Sequence, residues 1–177
     1  MWKEREGDVF TTVETQVLTN EHATVSDIKE RGLEWLLEKS LTVDDTVIVF
    51  LGGHGFFDRY DEWYFGGHEL DVERLSTTGI SDAELKSFFG KLPTNTILFT
   101  DSCFASSFKL PKEIRTTPRS GKNIWRGQGK IAYSSCLPHE QSLESASLGH
   151  GIFTKAILEY FEEPAGDVDG DGFLSCM

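Results

Sequence analysis

A chain of 177 residues, 38% of them hydrophobic and 26% charged, has the length and composition of one globular domain. Its net charge of −12 argues against nucleic acid as a partner, because phosphate binding requires a basic surface. No apolar run reaches the roughly 18 residues that cross a membrane, and the first residues lack the apolar core of a signal peptide. Three widely spaced cysteines argue against a disulfide framework and predict a reducing, cytoplasmic location.

The predicted elements alternate along the chain between strands and helices. Four segments are predicted as strands from their β-branched and apolar patterns: residues 9–18, 43–51, 95–101 and 129–135. Three segments are predicted as helices: residues 24–39, a segment from Ser81 that ends before Pro93, and residues 152–161. In the first helix the apolar face comprises Ile28, Leu33, Trp35, Leu36 and Leu37. A hairpin is predicted around residues 63–65, and the order of elements predicts an α/β fold with a mainly parallel sheet.

Two of the predicted apolar strands run directly into residues that can do chemistry. Residues 45–51 lead into Gly52-Gly53-His54-Gly55, and residues 95–101 lead into Ser102 and Cys103. In open α/β sheets, ligands bind at the carboxyl ends of the strands. If the two strands are parallel neighbours, His54 and Cys103 meet at one edge of the sheet.

A cysteine and a histidine in that arrangement predict nucleophilic catalysis. The thiol has a reference pKa of about 8.5 and becomes a strong nucleophile when an imidazole accepts or stabilises its proton. The attacked carbonyl then needs backbone N–H donors, which Gly55 and Cys103 itself can supply. The alternative interpretation of Gly52-Gly53-His54-Gly55 is a plain tight turn.

The remaining histidines and cysteines have simpler interpretations. His22, His68 and His139 lie in polar or loop segments and are interpreted as surface residues, whereas His150 lies between glycines before a helix and is expected to cap or pack. Cys136 follows a strand and could lie near the site, although a free cysteine is more often a small buried hydrophobe, and Cys176 is expected to have no role.

These motifs resemble the caspase-like cysteine peptidases of clan CD, above all metacaspases and bacterial caspase-domain proteins. His54 and Cys103 are 49 positions apart, and the caspase signature places its histidine roughly 50 residues before the cysteine. The segments 133–142 and 149–154 resemble the next strand of that family and the helix start behind it. The resemblance covers most of the chain as a single domain. It implies a three-layer caspase-like fold, a mostly parallel sheet flanked by helices, lacking the family's first strand and truncated at both ends.

The resemblance further implies a cysteine endopeptidase with a His54/Cys103 dyad. In metacaspase-like members, the acid two residues before the cysteine lines the S1 pocket and selects Arg or Lys at P1, the residue before the scissile bond. That acid is Asp101 here, and a carboxylate attracts a guanidinium or ammonium group. The alternative for Asp101 is a structural acid bonded to loop amides. Ser134 and Ser135 match the stretch that contacts the peptide substrate.

Competing interpretations stay open beside the peptidase. A catalytically weak or inactive caspase-like module that acts as a regulatory or binding domain is the main alternative. A domain for phosphorylated ligands is disfavoured because no glycine-rich phosphate loop follows the first strand. The basic segment 107–129 is either a solvated loop or a linker that the enzyme cleaves itself, with candidate sites at Arg115, Arg119, Lys122 and Arg126.

The remaining expectations concern calcium and partners. Residues 167–172 carry acids at positions 1, 3 and 5 and glycine at position 6 of half a calcium loop, for which an acidic turn is the simpler interpretation. No cofactor is expected for the chemistry, with calcium as a candidate activator. The expected partners are a protein or peptide substrate and, for the missing strand, an additional domain or partner; nucleic acid and membranes are not expected.

Overall fold

The computed structural model describes residues 2–7, 10–102, 129–136, 142–145 and 150–162. The strands are β1 (Thr46–Gly52), β2 (His54–Phe57), β3 (Trp63–Gly66), β4 (Gly79–Ser81), β5 (Asn95–Asp101), β6 (Lys130–Ser134), β7 (Glu144–Ser145) and β8 (His150–Gly151). The helices are α1 (Val25–Asp27), a π-helical segment (Ile28–Glu34), α2 (Trp35–Glu38), α3 (Leu75–Thr78), α4 (Asp82–Lys91) and α5 (Ile152–Glu162). Within these ranges, no helix has the length and apolar character needed to span a membrane.

The central sheet is parallel and has the order β1-β5-β6. In it Thr46 pairs with Asn95, Gly52 pairs with Asp101, and Thr100 of β5 pairs with Ser134 of β6. A second, antiparallel sheet of β2, β3 and β4 contains the predicted hairpin, and β7 pairs with β8. The expectation that β1 and β5 are parallel neighbours is therefore confirmed, and the fold is α/β.

The two faces of the central sheet are covered differently. Val47, Leu51 and Leu98 lie on one face and belong to the main core, which they form with buried residues of the π-helical segment, β3, β4 and α4. On the opposite face, Phe99 stacks on Tyr133 at 5.4 Å and meets Phe161 of α5 edge-on at 6.5 Å. Helices therefore pack on both faces, and β5 lies in the middle with both neighbours paired.

Both predicted helix starts on the amino side of β5 are confirmed by their capping contacts. The hydroxyl of Thr24 accepts a hydrogen bond from the Asp27 N–H at 3.1 Å. Ser81 and Glu84 form a complete capping box at the start of α4. Burial raises the pKa of the Glu84 carboxyl, but hydrogen bonds from Lys29 and Ser81 outweigh it and hold that pKa below its ordinary value.

Two sequence expectations about local structure are wrong. Within residues 10–18 the one backbone pairing is a bridge between Glu6 and Phe10, and residues 12–19 have no regular structure. An alternating pattern forms a strand only where a neighbouring strand accepts its hydrogen bonds, and here the segment is instead tied to the first helix by a 2.5 Å ion pair from Lys39 to Glu14. Leu37 is 42% exposed because the π-helical turns before it change the angle between successive side chains.

Candidate active site

The carboxyl ends of β1 and β5 lie side by side. Gly52 and Asp101 are paired, and the N–H of Gly53 donates to the Asp101 carbonyl at 3.1 Å, which continues the ladder one residue further. His54 is the second residue after Gly52 at the end of β1, and Cys103 is the second residue after Asp101 at the end of β5. Since neighbouring strands are about 4.8 Å apart, the two segments leave the sheet from adjacent positions. Cys103 itself lies outside the described residues.

The chain that leads to Cys103 is also held on its other side, by the residues after β6. Ser135 donates its N–H to the Thr100 carbonyl at 3.0 Å. The Ser135 hydroxyl and the Cys136 thiol both donate to the Ser102 carbonyl, each at 3.3 Å. Ser102 is 1% exposed. The two residues before Cys103 are therefore held from different sides: Asp101 by Gly53 after β1, and Ser102 by Ser135 and Cys136 after β6.

The glycine turn determines where the imidazole stands. A side chain at Gly53 would lie 3.0 Å from the Phe65 ring and 3.4 Å from the Gly66 carbonyl, so any residue other than glycine would require the Phe65 ring to shift by a few tenths of an ångström. His54 begins β2 and is exposed, with its ring 6.2 Å from that of Phe56. The first side chain after the turn is thus an imidazole that faces solvent at the sheet edge.

Gly55, the expected oxyanion donor, lies inside β2. It pairs with Phe65, and β2 is the outer strand of the β2-β3-β4 sheet. Along an outer strand, the N–H groups alternate between the neighbouring strand and the open side. The position of Gly55 next to His54 is compatible with a donor role, which stays a prediction.

The Asp101 carboxylate is held by three hydrogen bonds from residues far along the chain. Ser142 donates its hydroxyl to Oδ1 at 2.7 Å. Thr154, in the first turn of α5, donates its N–H to Oδ2 at 3.3 Å and its hydroxyl to the same oxygen at 2.5 Å. Gly151 lies so close that any added side chain would overlap Oδ2. Asp101 therefore anchors the start of α5 and the segment before it.

These contacts bear directly on the two interpretations of Asp101. Three donors to one carboxylate, two of them hydroxyls and one a backbone N–H, are what a structural acid would have. The residue nevertheless remains only half-buried. Asp101 is thus a structural anchor that also presents a carboxylate at the edge where β1 and β5 end.

The remaining predicted residues are two serines that were expected to contact the substrate and three histidines that were expected to have other roles. Ser134 pairs with Thr100 and Ser135 bonds to Ser102, so both predicted substrate contacts lie at the same edge as Asp101. His22 and His68 are exposed, as expected. His150 lies in β8, directly before α5, so it precedes a helix as expected, and its capping or packing role stays a prediction.

Sequence reasoning missed Ser142, Gly151 and Thr154 as neighbours of Asp101. They lie 41 to 53 positions beyond it, and no local pattern links residues so far apart. The available signal was Gly151, directly before a predicted helix. A glycine at such a position can indicate that another group approaches the backbone too closely for a side chain to fit.

Several expectations fall outside the described residues. The basic segment with its four candidate cleavage sites, the acidic residues 167–172, His139 and Cys176 all belong there, apart from Gly129 at the end of the basic segment. Among the residues that are described, no group of three His, Cys, Asp or Glu side chains could hold a metal ion.

Neither the protein-family models nor the curated proteins contain a match to this sequence. Any functional assignment therefore depends on the chemistry at the ends of the three parallel strands, where His54, Asp101 and the Ser102 carbonyl lie on adjacent segments.

Proposed function

We propose that this protein is a cysteine endopeptidase that uses Cys103 and His54 and cleaves after Arg or Lys. One observation carries the proposal: Gly52 and Asp101 are paired in parallel neighbouring strands, and His54 and Cys103 are each the second residue past that pair. A dyad whose two residues come from separate segments requires those segments to leave the sheet at neighbouring, paired positions. The Gly53-to-Asp101 hydrogen bond continues this register into the turn.

In the proposed first step, His54 accepts the proton of the Cys103 thiol, and the thiolate attacks the carbonyl carbon of the scissile peptide bond. The carbonyl oxygen becomes an oxyanion, to which the N–H groups of Gly55 and Cys103 donate. The exposed imidazole is accessible to a peptide that approaches the sheet edge.

In the second step the tetrahedral intermediate collapses and the bond to the nitrogen breaks. The imidazolium of His54 gives its proton to the departing amine, which leaves a thioester on Cys103. A water molecule, deprotonated by His54, then hydrolyses the thioester and restores the thiol. The anchored Ser102 carbonyl keeps the backbone before Cys103 in place through both steps.

The proposed P1 preference comes from the negative charge of Asp101. The carboxylate lies two residues before the nucleophile, and Asp101 is only half-buried, so a cation at the sheet edge can approach this residue. A substrate with Asp at P1 would be repelled by the Asp101 carboxylate. The Ser142 and Thr154 contacts hold the carboxylate in one orientation, as a specificity residue requires.

The proposal also includes a caspase-like architecture, the fold that the motifs resemble. Support comes from the parallel order β1-β5-β6, the helices on both faces, and the hairpin that follows His54 directly. These features suit that fold.

The test is hydrolysis of fluorogenic peptides with Arg or Lys at P1, with calcium and with a calcium chelator. We expect turnover by the wild type and a loss of at least about a thousandfold in Cys103→Ala and in His54→Ala. Cys136→Ser is the matched control, because it removes a second thiol beside the site but keeps a hydroxyl that can donate to the Ser102 carbonyl. Equal activity in Cys103→Ala and wild type would refute the peptidase.

A catalytically weak module that binds or regulates a partner is the second candidate. The three hydrogen bonds to Asp101 favour it, because they give this acid a structural role that needs no substrate. In that case an Arg chloromethyl ketone would fail to label Cys103, while the fold would remain intact. Labelling of Cys103 that is absent in His54→Ala would contradict this candidate.

A further inference from the structure

The hydrogen bonds to Asp101 use the two carboxylate oxygens unequally. Each carboxylate oxygen offers about two acceptor positions. Among the described residues, both positions on Oδ2 are occupied, by the N–H and the hydroxyl of Thr154, whereas Oδ1 has one donor, the Ser142 hydroxyl. The described contacts therefore leave one acceptor position of the carboxylate open, and that position is on Oδ1.

A guanidinium and an ammonium use a carboxylate differently. The guanidinium gains its advantage from two parallel N–H···O bonds, one to each oxygen, whereas an ammonium is a compact point charge that needs one acceptor. Because both acceptor positions of Oδ2 are occupied, an incoming Arg side chain cannot form the second of the two parallel hydrogen bonds. Arg and Lys can then each form one charged hydrogen bond, to Oδ1.

We infer that Thr154 is a specificity-determining positioning residue that makes the P1 site accept Lys and Arg about equally. The inference rests on the proposed function and goes beyond it, because it concerns discrimination between two cations that the charge of Asp101 alone does not separate. Thr154 acts through Asp101: its hydroxyl and its N–H together fill the two acceptor positions of Oδ2, so none is left for a bidentate Arg contact.

Substitutions at the two donors separate this effect from a general structural one. Thr154→Val removes the hydroxyl donor to Oδ2 but keeps the backbone N–H, so it frees one acceptor position on Oδ2 and leaves one on each oxygen for an incoming guanidinium. Ser142→Ala opens a second position on Oδ1 alone, which leaves the parallel arrangement blocked. Thr154→Ser keeps the hydroxyl and is the matched control. Thr154→Ala removes the same donor and replaces the Val variant if that variant does not fold.

The experiment measures kcat/KM for two peptides that differ only in Arg or Lys at P1. For the wild type, Ser142→Ala and Thr154→Ser, we expect an Arg-to-Lys ratio within about threefold of one. For Thr154→Val, we expect the ratio to rise about tenfold, which corresponds to one added hydrogen bond to a charged group. A loss of folding would lower both values together and leave their ratio unchanged.

The possible failures are distinguishable. A wild-type enzyme that prefers Arg by more than about tenfold, or an active Thr154→Val enzyme with an unchanged ratio, would overturn the inference and leave the proposed function standing. A ratio that rises equally in Ser142→Ala would also overturn it, since the block on Oδ2 would not matter. A wild type that cleaves after neither residue would overturn the proposed function and the inference together.

Discussion

At both ends of β5, a polar side chain forms hydrogen bonds to neighbouring segments. The two ends differ in how exposed their charged side chains are. At the amino end, the Asn95 side chain donates to the Val43 carbonyl at 3.5 Å and accepts from the Gly129 N–H at 3.1 Å. At the carboxyl end, the Asp101 side chain accepts from Ser142 and Thr154. At each end, one polar side chain of the strand connects segments distant in sequence.

The charged groups at the two ends have opposite surroundings. Lys130, next to the amino end, is 8% exposed and donates to the carbonyls of Phe89 and Leu92, the latter at 3.0 Å. These carbonyls lie at the end of α4, where a cation is favoured. At the carboxyl end, Asp101 is only half-buried and His54 is exposed. The difference indicates that the amino end holds the fold together, whereas the carboxyl end can also meet a ligand.

The largest expected effect comes from removing the charge at the carboxyl end. Asp101→Asn keeps the shape of the side chain but loses the negative charge that would pair with a P1 cation, together with one of the two oxygens that accept from Ser142 and Thr154. We expect kcat/KM for Arg and Lys peptides to fall about a hundredfold, the equivalent of one strong hydrogen bond to a charged group. The same peptide assay measures it.

Asn95→Ala is the matched control at the other end of the strand. It removes two hydrogen bonds at the amino end and should lower the free energy of unfolding by about 1 to 2 kcal/mol without changing kcat/KM. If Asp101→Asn left activity unchanged, or if Asn95→Ala lowered it as much, the two ends would not differ in function.

The core of the fold followed from the sequence because local patterns determine it. β1 and β5 are short apolar runs bounded by turn residues, and the capping boundary at Ser81 is a four-residue signal. Residues 10–18 carry an equally clear alternating pattern but form no strand in the described structure. An alternating pattern predicts which face of a strand would be buried. It does not predict which other strand will pair with it, and without such a partner no strand forms.

The site was predictable to the same extent. The positions of His54 and Asp101 at adjacent strand ends followed from two strand ends and the rule for open sheets. The partners of Asp101 did not, because Ser142 and Thr154 are brought to it by the packing of α5 against β5. Contacts between elements that are far apart in the chain depend on tertiary packing, which has no local sequence signature.

Lys130 offers a second way to sharpen the comparison. Lys130→Met keeps a side chain of similar length and removes the donor to the α4 carbonyls. We expect the free energy of unfolding at neutral pH to fall by about 1 to 3 kcal/mol, measured by urea denaturation, while kcat/KM stays the same. A fall in kcat/KM would show that the amino end influences the site.

The pH dependence of this variant has a definite sign. Burial lowers the pKa of Lys130 below its ordinary value of 10.5. Between the lowered pKa and 10.5, the unfolded chain binds a proton that the folded protein does not, so stability from this group rises with pH. The wild type should therefore gain stability relative to Lys130→Met as pH rises through that window. A difference that is flat or shrinks would contradict the burial of the ammonium group.

Two glycine substitutions, at Gly151 and, with the smallest expected effect, at Gly90, test whether the carboxyl end is more than an anchor. An added methyl group there would overlap the Asp101 carboxylate, whereas at Gly90 in α4 it would meet no atom within 4 Å. Gly90→Ala should therefore stabilise the protein by about 0.5 to 1 kcal/mol and leave activity unchanged. Gly151→Ala should displace the carboxylate and lower kcat/KM for Arg and Lys peptides about tenfold, with a loss of stability of about 1 kcal/mol. If Gly151→Ala lowered stability alone, Asp101 would serve only to hold α5, and the two ends of β5 would be alike.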